Sequence, residues 1–146
     1  MIALIQRVRE ARVEVAGAMV GAIGPGLLAL IGVRKADARA DVARMLDRIL
    51  GYRVFPDAEG RMNRSLTDTV GGLLLVPQFT LAADTQKGMR AGFQTAAAPA
   101  LAQGLFEALL AAARVQHGGK VETGQFGADM QVSLVNDGPV TFWLET

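Results

Sequence analysis

Chemistry in this chain has few side chains to work with. Cysteine is absent and His117 is the only histidine, so disulfides, thiolate nucleophiles and Cys-ligated zinc or iron–sulfur sites are excluded together. Neither a Ser-His-Asp nor a Cys-His arrangement finds further support. His117 falls at the end of a helical stretch beside Gly118-Gly119, where a cation favoured by a helix C-terminus accounts for it. For a site without histidine or cysteine, backbone donors and the substrate's own groups are the remaining candidates. Main-chain N–H groups stabilise a tetrahedral intermediate without any titrating side chain.

Two short segments join strand-forming residues to polar or conformationally special ones where a strand ends. The first, Val76-Pro77-Gln78-Phe79-Thr80-Leu81, follows the apolar Leu73-Leu74-Leu75 and precedes the loop-like Ala82-Ala83-Asp84-Thr85. A strand end opening onto a loop is a common place for a site. By residue type alone, Phe79 also reads as core, Thr80 as an ordinary β-branched strand residue and Gln78 as solvated. The second segment is Asn136-Asp137-Gly138-Pro139-Val140-Thr141, whose residues also make ordinary hairpin turns. Arg7, in an otherwise apolar first strand, reads either as solvated or as a planar donor fork holding turn carbonyls. Met130, on the strand entering that turn, reads as pocket wall or core. Lys87 and Arg90 lie in a polar stretch that is either a solvated loop or a contact for phosphates.

The elements that carry these residues follow from periodicity. Ile2 to Val8, Ala11 to Ala16, Met19 to Ile23 and Leu27 to Val33 read as strands of a meander with glycine turns. Leu27-Leu28-Ala29-Leu30-Ile31 is apolar throughout and is expected at the centre, buried on both faces. Val42, Met45, Leu46, Ile49 and Leu50 form a helical stripe from Asp37, a candidate N-cap, to Gly51, a candidate left-handed C-terminal residue. A second helix is expected from about Pro99 to about His117, with Leu101, Leu105, Phe106, Leu109 and Leu110 buried. Tyr52-Arg53-Val54-Phe55 and Gly72 to Val76 read as strands. Alternation from Met130 to Leu134 and from Val140 to Leu144 predicts a closing hairpin that turns through Asn136 to Pro139. The irregular order of strands and helices predicts an α+β fold, with a mixed, largely antiparallel sheet and two main helices packed to one side.

Length and composition bound the rest. A chain of 146 residues fits one domain, 1–146, with enough buried surface for a core. The opening residues lack a basic region followed by a long apolar run, so export is not expected, and no run approaches the ~20 residues that span a bilayer. A formal net charge of +1 makes no general claim on nucleic acid, so any RNA contact has to be local.

Together the two segments resemble the two signatures of the D-aminoacyl-tRNA deacylase family, whose members hydrolyse the ester joining a D-amino acid to the 3′ end of tRNA. The resemblance extends to Ile2–Val8, Asp57–Asn63 and Ala128–Val135, and so spans essentially the whole chain. It implies a cytoplasmic homodimer with a barrel-like sheet, needing no cofactor or metal and acting on the 3′-terminal adenosine of aminoacyl-tRNA. Glycyl-tRNA is implied as a further substrate, since glycine has no side chain to exclude.

For the site, the resemblance implies that the amides of Phe79 and Thr80, next to Gln78, face the ester carbonyl. Gly138-Pro139, cis in the family, enters the partner subunit's site, meets the substrate's α-amino group and crowds the side-chain position of an L-amino acid. Arg7 orients that segment, with Asn136 and Met130 belonging to the same substrate-binding set. Where the family usually has serine this chain has Pro77, so a hydroxyl there cannot be required if the protein is active. Where family members commonly have Pro-Ser-Phe, it has Ala91-Gly92-Phe93. Pro77 keeps open a non-catalytic module that binds the tRNA 3′ end. A freestanding editing domain for a mischarged L-amino acid is the other alternative, because the editing domain of archaeal threonyl-tRNA synthetases shares this fold; Gly138-Pro139 argues against it.

Overall fold

The computed structural model describes residues 1–146. Its centre is a parallel pair, β3 (Gly26–Gly32) and β6 (Gly72–Pro77). Burial on both faces is what a near-continuous apolar strand requires. Leu27, Ala29, Ile31, Leu73 and Leu75 enter the larger core, and Leu28, Leu74 and Val76 enter a smaller one on the opposite face. Gly26 and Gly72 are partners in this pair, and the backbone of Gly72 occupies the space that a Cβ on Gly26 would need.

The first two expected strands are one: β1 runs from Ile2 to Val15. Its first half pairs antiparallel with β3, and Ala11 to Val15 pair with β2 (Ala18–Ile23). Between the halves Arg9 is an extra residue, since Val8 faces Asn136 while Glu10 faces Val135. A bulge of this kind bends a strand and increases its twist, which lets the two halves take different neighbours. Beyond β6 comes β7 (Val121–Thr123), parallel to it and too short to show periodicity. The sheet curls until β2 meets β7: Gly21 packs beside the Thr123 carbonyl, and Lys120 Nζ donates to the Ala22 carbonyl at 2.9 Å. The result is a nearly closed, barrel-like sheet.

The closing hairpin is not found. Gln131–Glu145 form a single strand, β8, antiparallel to β1 along both of its halves. From Asn136 to Thr141 β8 advances five residues while β1 advances two, from Val8 to Gln6. Three residues are therefore extra, and they bulge from the sheet as an insert. An odd excess reverses the faces of a strand with period 2. Hence Met130 and Leu134 pack on the smaller core, whereas Val140, Phe142 and Leu144 pack on the larger. The alternation that predicted two strands is this reversal within one.

Two main helices cover the larger core. In α1 (Arg39–Gly51) the expected stripe from Val42 to Leu50 is buried. Its predicted ends differ. Asp37 accepts from the Met1 amino group at 2.5 Å and from Arg34 N–H at 2.6 Å, leaving Ala38 at the N-cap position, where Asp41 takes its N–H at 2.8 Å. Gly51 closes the helix without a left-handed φ. Between α1 and β6 the strand expected at Tyr52–Phe55 shrinks to β4 (Phe55–Pro56), which pairs with β5 (Met62–Arg64) and leads to a one-turn α2 (Leu66–Thr69). Asp57 holds the ribbon's turn by accepting from Asn63 and from the amides of Glu59 and Arg61.

The second main helix, α3 (Pro99–Gln116), has proline in its first turn and buries Leu105, Phe106 and Leu109 as expected. Leu101 is 41% exposed, and Ala102 and Ala113 are buried along that face instead. His117 lies just past the last turn, buried, with Nε2 2.7 Å from the Gly71 carbonyl, so it tethers α3 to the start of β6. No helix is long and apolar enough to cross a membrane.

Candidate active site

The first segment sits where β6 leaves the sheet. Leu73 donates its N–H to Lys120 O on the β7 side at 2.8 Å, and Gln78 donates to Ile31 O on the β3 side at 2.7 Å. Alternation along the strand turns the nitrogen of Pro77 towards β7, past its last paired residue, Thr123. A missing N–H there removes no ladder bond.

After Gln78 the chain winds into a 3₁₀ turn, Phe79–Ala82, whose first bond runs from Leu81 N–H to Gln78 O at 3.2 Å. The amides of Phe79 and Thr80 precede that bond and have no partner within the turn, as at any helix start. Phe79 is not core. It is 60% exposed and its ring meets that of Phe93 in a tilted pair, with centroids 5.2 Å apart. Thr80 is not a strand residue either, and its hydroxyl accepts from Gln78 Nε2 at 2.5 Å. On one side of the turn lies an apolar cavity of about 480 Å³, walled by Val76, Pro77, Phe79, Phe126 and Met130. The turn also borders a cleft of mixed polarity, of about 630 Å³, that includes Thr80, Arg34, Asp84, Trp143 and Glu145. The Trp143 indole donates to Glu145 at 2.7 Å and, with Arg34 adding its charge, holds that carboxyl below its usual range. No three His, Asp or Glu side chains converge anywhere as a metal site would require.

The second segment is the β8 insert. Arg7, only 14% exposed, donates from Nε to the Asp137 carbonyl at 2.8 Å and from Nη1 to the Val54 carbonyl at 2.6 Å. Its fork thus ties the insert to the chain entering β4. Asn136 clips the insert's base: its Oδ1 accepts from Val140 N–H at 2.7 Å and its Nδ2 donates to Thr141 Oγ1 at 3.0 Å. The Gly138-Pro139 peptide at the tip is cis.

Arg7, Asn136, Gly138 and Pro139 therefore form one group, and Gln78, Phe79, Thr80 and Met130 another. No hydrogen bond and no cavity wall joins the two groups. The insert lies level with Arg7 and Leu27, whereas Pro77 pairs with Ile31, four residues further along β3 and three strands away from β8. At about 4.8 Å per strand and about 3.3 Å per residue, the path between them along the curled sheet is on the order of 20 Å. Lys87 and Arg90 are exposed on the loop clasped by the Asp84 and Gly92 backbones, and neither forms an ion pair.

Comparison with known proteins decides what kind of molecule carries this geometry. A family model described as D-Tyr-tRNA(Tyr) deacylase matches residues 4–145. The chain belongs to that family. A D-aminoacyl-tRNA deacylase of Alkalilimnicola ehrlichii is 67% identical over 145 residues, covering 99% of this chain and 96% of the relative. One from Pseudomonas fluorescens is 61% identical over the full length of both. Among solved structures, one described as c-Myc DNA unwinding element binding protein superposes with a TM-score of 0.95 at 37% identity, covering 100% of this chain and 99% of its own. A probable eukaryotic D-amino acid tRNA deacylase, at 18% identity and TM-score 0.83 over 98% and 97% of the chains, shares the fold.

Several groups around this D-Tyr-tRNA(Tyr) deacylase framework escape sequence reading. Val54 and Asp137 act through backbone carbonyls, which no residue type announces. Phe126 and Trp143 become cavity walls only through the curl of the sheet. A lone aromatic in the Gly-rich stretch after β7 was the one available signal for Phe126.

Proposed function

We propose that this chain hydrolyses the ester of D-aminoacyl-tRNA, releasing the D-amino acid and tRNA, with glycyl-tRNA as an additional substrate. The match to the deacylase family over residues 4–145 carries the reading, and the partnerless amides of the Phe79–Ala82 turn supply its chemistry. The ester carbonyl oxygen accepts from Phe79 and Thr80 N–H, which hold the negative charge as it develops. Water, positioned by the ribose 2′-OH, adds to the carbonyl carbon. The tetrahedral intermediate then collapses, breaking the bond to the 3′ oxygen, which takes up the proton that the water loses.

The working unit is a homodimer. The path of roughly 20 Å along the sheet between insert and turn, built from the strand spacings, favours a site in which Gly138 and Pro139 of one subunit serve the Phe79 turn of the other. Their carbonyls receive the substrate's α-ammonium and occupy the space an L side chain needs. Lys87 and Arg90 are assigned to the phosphates near the 3′ end. The deciding experiment offers D-Tyr-tRNA and L-Tyr-tRNA separately and follows free tyrosine. Release from the D-ester alone supports the reading. Release from neither, or from the L-ester, overturns it.

Thr80 itself contributes little beyond its amide. Its hydroxyl accepts a hydrogen bond from the Gln78 amide, and no carboxylate or imidazole is hydrogen-bonded to it, so it is not an activated nucleophile. Thr80→Ala is expected to retain kcat within about tenfold, well short of the 10²–10³-fold loss typical of an oxyanion donor. A single-turnover assay checks this. Pro77→Ser likewise is expected to change kcat less than about threefold, because residue 77 uses no ladder N–H. A protein that binds D-Tyr-tRNA without hydrolysing it, and gains activity on this change, favours the binding-module alternative instead.

A further inference from the structure

We propose that Gly32 is a positioning residue for the Phe79–Ala82 turn, and that its missing side chain sets the height at which the Phe79 and Thr80 amides are presented. The inference rests on the reading that those amides meet the ester. Gly32 is the last residue of β3, paired in regular register with Ile2, and its φ is not left-handed. Backbone freedom is therefore not why glycine stands here. Space is the reason. A Cβ at this position would lie 2.9 Å from Leu81 Cβ, 3.3 Å from Gln78 O and 3.4 Å from Ala82 N.

None of these atoms is the far end of a flexible side chain. All belong to the turn or to its N-cap, so relieving the contact means moving the turn. The turn is also held from below: Gln78 N–H is bonded to Ile31 O at 2.7 Å, one residue before Gly32. Leu81 and Ala82 pack with Ile2 and Ala96 in a small apolar cluster. A side chain at 32 would act as a wedge between that anchor and the segment carrying the donors. Residues 31 and 32 thus determine the turn's position together, one by a hydrogen bond and one by an absence.

The consequence is specific to the chemical step. A displacement of a few tenths of an ångström to 1 Å leaves substrate binding largely unchanged while misaligning donors that matter only as charge develops, and misplacement of this order costs up to 10²-fold. The test is Gly32→Ala assayed with D-Tyr-tRNA in the intact protein, alone and combined with Leu81→Gly, which removes the nearest clashing atom. Gly32→Ala is expected to lower kcat by about 10–100-fold with KM within about threefold. The double variant is expected to recover most of the loss relative to Gly32→Ala and to match Leu81→Gly alone.

Unchanged kcat in Gly32→Ala, a loss expressed in KM, or a double variant at least tenfold slower than Leu81→Gly overturns the assignment. If Gly32→Ala alone does not fold, the comparison of the double variant with Leu81→Gly still decides. A wild-type protein inactive on D-Tyr-tRNA defeats the functional reading first, and is distinguished from these outcomes by the wild-type control.

Discussion

Phe79→Pro is expected to lower kcat for D-Tyr-tRNA hydrolysis by about 10²–10³-fold, the loss that follows removal of one oxyanion donor, while KM changes little. Proline fits this position. Phe79 is the first residue of the 3₁₀ turn, where the fixed φ of proline is compatible with the turn and its missing N–H breaks no bond within it. Gln78 before it has φ −140° and ψ 80°, outside the helical region that a residue preceding proline avoids. The turn's own bonds, from Leu81 to Gln78 and from Ala83 to Thr80, do not involve the deleted N–H.

The variant also removes the ring, so Phe79→Ala is the necessary companion. It abolishes the contact with Phe93 and keeps the amide, and kcat within about tenfold of wild type is expected, since an aromatic pair is worth about 0.5–1.5 kcal/mol. Equal losses in the two variants would assign the effect to the ring and end the backbone account. Single-turnover rates at saturating enzyme make the comparison, because they separate the chemical step from product release.

What could be read from the sequence divides by physical cause. The centre of the sheet was legible because Leu27 to Ile31 are apolar at every position, and only burial on both faces explains that. The stripe of α1 was legible for the same kind of reason. Its ends were not, because Asp37 is drawn away to the Met1 amino group and Arg34, partners that lie beside it only once β1 and β3 are paired. The β8 error is more instructive. Alternation gave both halves correctly, but periodicity reports faces rather than connections. A turn and a three-residue bulge reverse the faces equally well.

The same limit applies to the candidate site. Gln78, Phe79 and Thr80 stood out because polar and aromatic residues follow a buried strand, yet the residues alone favoured core for Phe79, which is exposed. Arg7 stood out as a charge in an apolar strand. That its fork spans Asp137 and Val54 depends on the insert rising where β1 is held between β3 and β8, a relation between residues 130 positions apart. Nor can a sequence display Gly32 as a positioning residue, because its contribution is the atom it lacks.

Arg7→Ala is expected to cut D-ester turnover by about 10²-fold, in the range of a misplacement of 1 Å, and to weaken discrimination against L-esters. Its two charge-assisted bonds to Asp137 O and Val54 O are worth about 1.5–3 kcal/mol each. Their loss is enough to free the insert, while the larger core, to which Arg7 does not belong, keeps its packing. Arg7→Lys is expected to fail nearly as badly, because a single ammonium cannot reproduce a planar fork aimed at two carbonyls.

The decisive form of this prediction uses two damaged proteins. If the insert of one subunit completes the turn of the other, an Arg7→Ala chain supplies a sound turn and a Phe79→Pro chain a sound insert. Mixed and allowed to exchange subunits, they form hybrids in which one of the two symmetric sites has both parts intact, so random exchange returns about a quarter of wild-type sites. Recovery to that level, from parents that are each nearly inactive, is expected in the D-Tyr-tRNA assay together with restored rejection of L-Tyr-tRNA. No recovery, once mass spectrometry has shown hybrids to be present, means that turn and insert act within one subunit. The path of roughly 20 Å reckoned along the sheet between them from strand spacings would then have to be closed by movement of the insert itself.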